Sequence, residues 1–181
     1  MTVAESSLAQ FQTDIDKWMA ENVPKNPGFL LPLTFLEVGT EQQLDFLRDW
    51  QHKLWQAGFL GMHWPTEYGG QGADPAYQGL VDKALTAHNA PIIFNTIGLN
   101  WTGPLLLDVG TEDDRKRYIK NILTGDDIWC QGFSEPDHGS DLGNVQTRAV
   151  RDGDEYVVNG SKVWTTLGNY ADHMILLART D

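Results

Sequence analysis

Leu8, Phe11, Ile15, Trp18 and Met19 recur mainly at steps of three and four, which places them on one face of an α-helix. A stretch broken by proline and glycine, Pro24 to Gly39, interrupts the pattern. It resumes with Leu44, Leu47, Trp50, Leu54 and Ala57, a second apolar stripe. Thr40 with Gln43 predicts a capping box at the start of that helix, and Gly58 a left-handed residue just past its end. Asp74 followed by Pro75 predicts the opening of a third helix that reaches about Asn89. A fourth is predicted from about Ile97 to Val109. Thr111 caps a fifth, with Glu112, Asp113 and Asp114 in its first turn and Arg115, Lys116, Arg117 and Lys120 behind them. That order suits the helix dipole, and Gly125 ends the segment.

From about Asp126 the texture changes. Ile128 to Ser134, Val145 to Arg151, Glu155 to Asn159, Lys162 to Thr166 and His173 to Ala178 are short runs rich in Val, Thr, Tyr and Trp, the composition of strands. Asp152-Gly153-Asp154 and Asn159-Gly160 between them are hairpin-type turn sequences. The expected fold class is therefore α+β. An all-α helical domain over residues 1–126 precedes the start of an antiparallel β domain over 127–181. Met174 to Ala178 is apolar on both faces, so the β domain is expected to continue beyond Asp181 and the chain by itself to be inactive.

Charge and composition narrow the function. The 181 residues carry 13 Lys+Arg against 25 Asp+Glu, a formal net charge of −12, without a basic stripe to neutralise phosphates. That argues against nucleic-acid binding. The single cysteine, Cys130, excludes a disulfide framework and a cysteine-cluster metal site. The N-terminus lacks a cationic start and an apolar run, and no apolar stretch approaches the roughly 20 residues a membrane span needs. A cytoplasmic protein without a metal is expected. There is no phosphate loop, no glycine-rich dinucleotide fingerprint and no zinc-protease motif. Ser134, His138 and Asp141 lie close in sequence, but a hydrolase triad is assembled by the fold and adjacency does not supply its geometry.

Four runs carry more. Trp129-Cys130-Gln131-Gly132-Phe133-Ser134-Glu135-Pro136-Asp137-His138-Gly139-Ser140-Asp141-Leu142 and Tyr156-Val157-Val158-Asn159-Gly160-Ser161-Lys162-Val163-Trp164-Thr165-Thr166 are the two most specific. Upstream stand Gly58-Phe59-Leu60-Gly61 with Pro65 and Tyr68-Gly69-Gly70-Gln71-Gly72, and then Gly110-Thr111-Glu112. In order and spacing these resemble the acyl-CoA dehydrogenase family, from about residue 5 to residue 181. The resemblance implies a helical domain, a central β-barrel domain and a C-terminal four-helix domain, of which the first and part of the second are here.

The resemblance also implies FAD as cofactor. It implies an acyl-CoA oxidised to a trans-2-enoyl-CoA, an electron-transfer flavoprotein as acceptor, and a homodimer or homotetramer. By the same resemblance the backbone of Gln131, Gly132, Phe133 and Ser134 lines the flavin ring edge, with the Ser134 hydroxyl as a donor. Trp164 packs on the ring face, Thr165 and Thr166 complete the cofactor set with Thr166 near N5, and Ser140 faces the pantetheine-phosphate of the substrate. The catalytic base is implied to be a glutamate beyond residue 181. Glu135 is read instead as shaping a turn, since Pro136 restricts it to extended conformations. Asp137-His138 stands where the family usually has Gly-Ala.

Blander readings of single residues stay open. Trp164 as a barrel-core residue and Ser134 as a turn-capping hydroxyl are two. Cys130 reads as a buried small hydrophobe, and His52, His63, His88 and His173 as structural or surface groups. Two other functions also fit: a flavin monooxygenase or oxidase on the same fold, and a non-catalytic partner subunit of a hetero-oligomer.

Overall fold

Each predicted helix forms, and its ends show why. In the computed structural model, which describes residues 7–25 and 27–181, α1 runs Leu8–Asn22 and buries Phe11, Ile15 and Met19. The first residues of the N-terminus, part of the signal-peptide reading, lie outside the described residues. α2 runs Glu41–Gln56 from Thr40, whose side chain accepts the Gln43 N–H. The return arm of that box lands one residue early, because Gln43 Oε1 accepts the Gly39 N–H at 3.0 Å. At the other end Gly58 sits at φ +81°, and the Phe59 N–H reaches back to the Leu54 carbonyl at 2.9 Å, closing a Schellman motif.

α3 runs Ala76–Ala87, with the Asp74 carboxylate accepting the Ala76 N–H at 2.8 Å. α4 is Gly103–Val109, and α5 is Glu112–Thr124 with a complete capping box between Thr111 and Asp114. The predicted fourth helix differs in one respect: Gly98–Thr102, ahead of α4, is π-helical. Pro104 has no N–H to continue an i→i−4 ladder, and the Gly103 N–H bonds instead to the Gly98 carbonyl five residues back.

The chain divides into two units, one ending at Asp127 and one spanning Ile128–Asp181. In the first, Phe94, Ile15, Met19, Leu47, Leu54, Met62, Ile119, Ile122 and Leu123 are fully buried. Gln51 is buried among them. Its amide donates to the carbonyls of Ile122 (3.0 Å) and Leu123 (3.1 Å), in the last turn of α5 where no intrahelical partner exists. The Ile122 carbonyl also accepts from the Asn95 amide at 3.2 Å, so removing the Gln51 donor leaves chiefly the Leu123 carbonyl with uncompensated desolvation. Gln51→Leu, similar in volume, is expected to cost at least about 1 kcal/mol in denaturant unfolding. An unchanged midpoint would show that the amide is dispensable.

In the second unit, β1 (Trp129–Gly132) pairs with β4 (His173–Leu176), and β2 (Arg148–Asp152) pairs with β3 (Glu155–Asn159). β2 and β3 form the expected antiparallel hairpin, turning at Gly153-Asp154 with Gly153 at φ +63°. β1 and β4 run parallel, which corrects the wholly antiparallel expectation. Forty intervening residues (133–172) give the chain room to return in the same direction. A second correction concerns Lys162 to Thr166, which is a loop. Trp164 at φ +59° and Leu167 at φ +62° are left-handed, incompatible with an extended ladder. Asn159-Gly160 therefore closes no hairpin. Among the described residues no helix is long and apolar enough to cross a membrane.

Candidate functional site

Two of the recognised runs lie side by side in the second unit. The Val163 N–H donates to the Ser134 carbonyl at 2.9 Å. One residue on either side of that bond, Lys162 Nζ donates to the Phe133 carbonyl at 2.9 Å and to Glu135 Oε1 at 2.9 Å. Both charged side chains are buried, Lys162 at 8% and Glu135 at 5% exposure. The Glu135 carboxylate also accepts the backbone N–H groups of Gln146 (2.6 Å) and Thr147 (2.8 Å). Three segments of chain thus meet at one ion pair.

The Glu135 carboxyl is held well below the usual carboxylate range. The causes are the Thr147 hydroxyl facing it, then the Gln146 N–H, the Lys162 ammonium and the Thr147 N–H, against the opposing effect of burial. Thr147 Oγ1 makes no well-aligned hydrogen bond, so the two backbone donors and the ammonium carry the effect. A carboxylate held in this way does not accept a proton near neutral pH, so Glu135 is unsuited to act as a base.

The turn after Glu135 is closed by reciprocal backbone bonds between Glu135 and His138, at 2.9 and 3.1 Å. Neither Asp137 nor His138 has a positive φ, so a glycine is not required where this chain carries aspartate. Beyond the turn Ser140 is exposed, on a loop pinned by the Asn144 amide donating to Asp141 at 2.6 Å. Pro136, Asp137, His138, Gln146, Gly160 and Ser161 line a cleft of about 230 Å³ beside the ion pair.

The remaining candidates sort by exposure. Gly132 is buried in β1, close enough to β4 that a Cβ there would run into Met174 and Leu176. Gln131, Phe133, Ser134, Thr165 and Thr166 are half-buried. The side chains of Gln131, Ser134, Thr165 and Thr166 make no hydrogen bond to another described residue. Trp164 is 89% exposed, so it forms no part of this unit's core. Its left-handed backbone costs about 1–3 kcal/mol, and so does that of Leu167 three residues on. Leu167 is buried, which fixes the far end of the loop. An outward indole and half-exposed polar side chains that bond to no other described residue suit a large, flat, hydrogen-bonding ligand such as a flavin. They are free to contact it.

Cys130 is buried, and burial pushes its thiol up, away from reactivity. His173 lies against Trp129 at 4.9 Å, His88 against Asp16 at 3.3 Å and His52 against Trp55 at 5.5 Å, while His63 is exposed. The Glu135–Lys162 pair is the feature that sequence reasoning missed. Its only signal was a glutamate and a lysine inside two runs already singled out.

The acyl-CoA dehydrogenase N-terminal domain profile matches residues 33–126, and the middle domain profile matches residues 130–181. Acyl-CoA dehydrogenase IpdE1 of Mycobacterium tuberculosis is 35% identical over 175 residues, 96% of this chain and 45% of that protein. The chain therefore spans about half the length of such relatives. A solved structure named Tcur3481-Tcur3483 steroid ACAD superposes with a TM-score of 0.76 at 35% identity, over 96% of this chain and 43% of that one. The ChsE4-ChsE5 complex from Mycobacterium tuberculosis gives 0.75 at 29%, over 100% and 44%. A glutaryl-CoA dehydrogenase from Mycobacterium smegmatis in complex with FADH2 gives 0.67 at 25%, over 96% and 42%.

Proposed function

This chain belongs to the acyl-CoA dehydrogenase family, and on that premise we propose that it serves an FAD-dependent dehydrogenation of an acyl-CoA to its trans-2-enoyl-CoA. The observation that carries the reading is the lacing of Phe133, Ser134 and Glu135 to Lys162 and Val163, which joins the two recognised runs next to an outward tryptophan. When bound, FAD supplies the acceptor for the hydride leaving the acyl β-carbon. Gln131, Gly132, Phe133 and Ser134 would offer backbone and hydroxyl groups along its ring edge. Thr165 and Thr166 would add donors, with Thr166 near N5 orienting the ring. Trp164 would cover one ring face and exclude water from it, and Ser140 would bond the substrate's pantetheine-phosphate.

The α-proton would go to a glutamate outside these 181 residues, because the buried, cation-paired Glu135 is unsuited to that role. An electron-transfer flavoprotein would take the electrons. The protein would work as an oligomer, either of identical chains or, as the name of the ChsE4-ChsE5 complex suggests for this chain too, of two different ones. A steroid-derived acyl group is the substrate class that the name of the Tcur3481-Tcur3483 neighbour favours. The holoenzyme should purify yellow, and its flavin should bleach when an acyl-CoA is added without oxygen. The reading fails if no linear, branched or steroid-derived acyl-CoA bleaches it while another substrate drives oxygen uptake.

A further inference from the structure

We propose that the buried Lys162–Glu135 pair is a positioning clamp that sets the register of the two flavin segments and presents Trp164 to the cofactor. The proposal rests on the flavin reading above and adds to it two residues that touch no reacting atom.

The geometry is specific. Lys162 stands two residues before Trp164 and binds the other segment at two points, the Phe133 carbonyl and the Glu135 carboxylate, both at 2.9 Å. Glu135 is in turn fixed by the Gln146 and Thr147 N–H groups and by the backbone bridge to His138. The Val163 N–H to Ser134 carbonyl bond lies directly between. One end of the Trp164 loop is thereby tied to Phe133, Ser134 and Glu135, the segment that follows β1. The other end is tied by buried Leu167. Between these anchors the backbone is left-handed at Trp164 and the indole points to solvent. A left-handed residue whose own side chain is exposed gains nothing for the fold at that point, and such conformations persist where the surroundings over-determine them. Buried ion pairs contribute little net stability compared with apolar groups of similar shape, and setting a register is their best-attested use.

The test compares holoprotein with Lys162→Met, Lys162→Arg and the double variant Glu135→Gln/Lys162→Met. The double variant removes both charges, but the glutamine carbonyl can accept only one of the two backbone N–H groups that Glu135 Oε1 and Oε2 accept, so its melting temperature is expected to fall and its FAD affinity is read at a temperature where circular dichroism shows it folded. FAD dissociation constants come from fluorescence titration of deflavinated protein, and amide exchange is followed at Val163. The expected result is at least a tenfold weaker FAD affinity and faster Val163 exchange in both methionine variants, with partial rescue in Lys162→Arg. Native-like FAD affinity in a folded double variant overturns the proposal, whether or not exchange rises. Weakened affinity with unchanged Val163 exchange overturns it as well, since the loop would then not have moved. Native protein that binds no FAD is a different failure, that of the flavin reading, and it removes the cofactor role of the clamp with it.

Discussion

Gly160→Val is expected to yield protein that retains no flavin. A Cβ at Gly160 would lie 2.6 Å from Thr147 Cβ and 2.7 Å from its Cα, and would strike the hydroxyl as well. Thr147 cannot retreat. It is buried, its N–H is held by Glu135, and its carbonyl accepts the Arg179 N–H at 2.9 Å. The displacement therefore falls on Gly160 and on Ser161 and Lys162 behind it, the start of the segment proposed to hold FAD. Overpacking of this kind costs about 1–3 kcal/mol, and a branched side chain lies toward the upper end. The fold itself need not be lost, because the shift can be absorbed in a loop that is exposed on its outer side. Gly139→Ala and Gly143→Ala are the matched controls, since nothing lies within 4 Å of a Cβ at either position. The flavin-to-protein absorbance ratio of the purified variants decides the matter. A Gly160→Val protein as yellow as the two controls would show that this close approach has no bearing on the cofactor.

What the sequence could disclose follows from the range of the forces involved. Helix ends are local, so Thr40, Asp74 and Thr111 before their helices, and Gly58 and Gly125 after them, announced the starts and stops that the structure has. The Gly153-Asp154 turn was equally local. Strand partnership is not local: nothing within His173–Leu176 says that it will lie parallel to Trp129–Gly132. Periodicity also failed at Lys162 to Thr166, where Val, Trp and Thr suggest a strand. Trp164 within it and Leu167 just after it are left-handed, and the bonds that hold the loop's start reach residues about 27 positions away. The burial of Gln51 has no local signal, and only the approach of the α5 carbonyls explains it. The same holds for Glu135 and Lys162, which are 27 residues apart. The candidate site was found through its resemblance to a family, and the side chains that hold it together became apparent only when the chain was folded.

Trp164→Ala is expected to weaken FAD binding by about 1–3 kcal/mol, roughly 5- to 150-fold in dissociation constant, if ring stacking on the indole is worth what base–aromatic stacking is. Affinity alone does not separate a ligand platform from a structural residue, but the sign of the stability change does. The indole is 89% exposed, so truncating it forfeits almost no burial within this unit, and the deflavinated variant should melt within a few degrees of the native protein. Trp164→Gly sharpens the contrast. Glycine occupies φ near +59° without the cost that a side chain incurs there. That variant should be at least as stable as the native apoprotein while losing as much FAD affinity as the alanine form. Trp164→Phe should retain part of the affinity through its smaller ring. A core residue would behave in the opposite way, with alanine and glycine both lowering the apoprotein melting temperature sharply. FAD titration and thermal unfolding of the three deflavinated variants separate the two cases. Stability gained and cofactor lost in Trp164→Gly is the pattern expected of a side chain held in strain for the sake of a ligand.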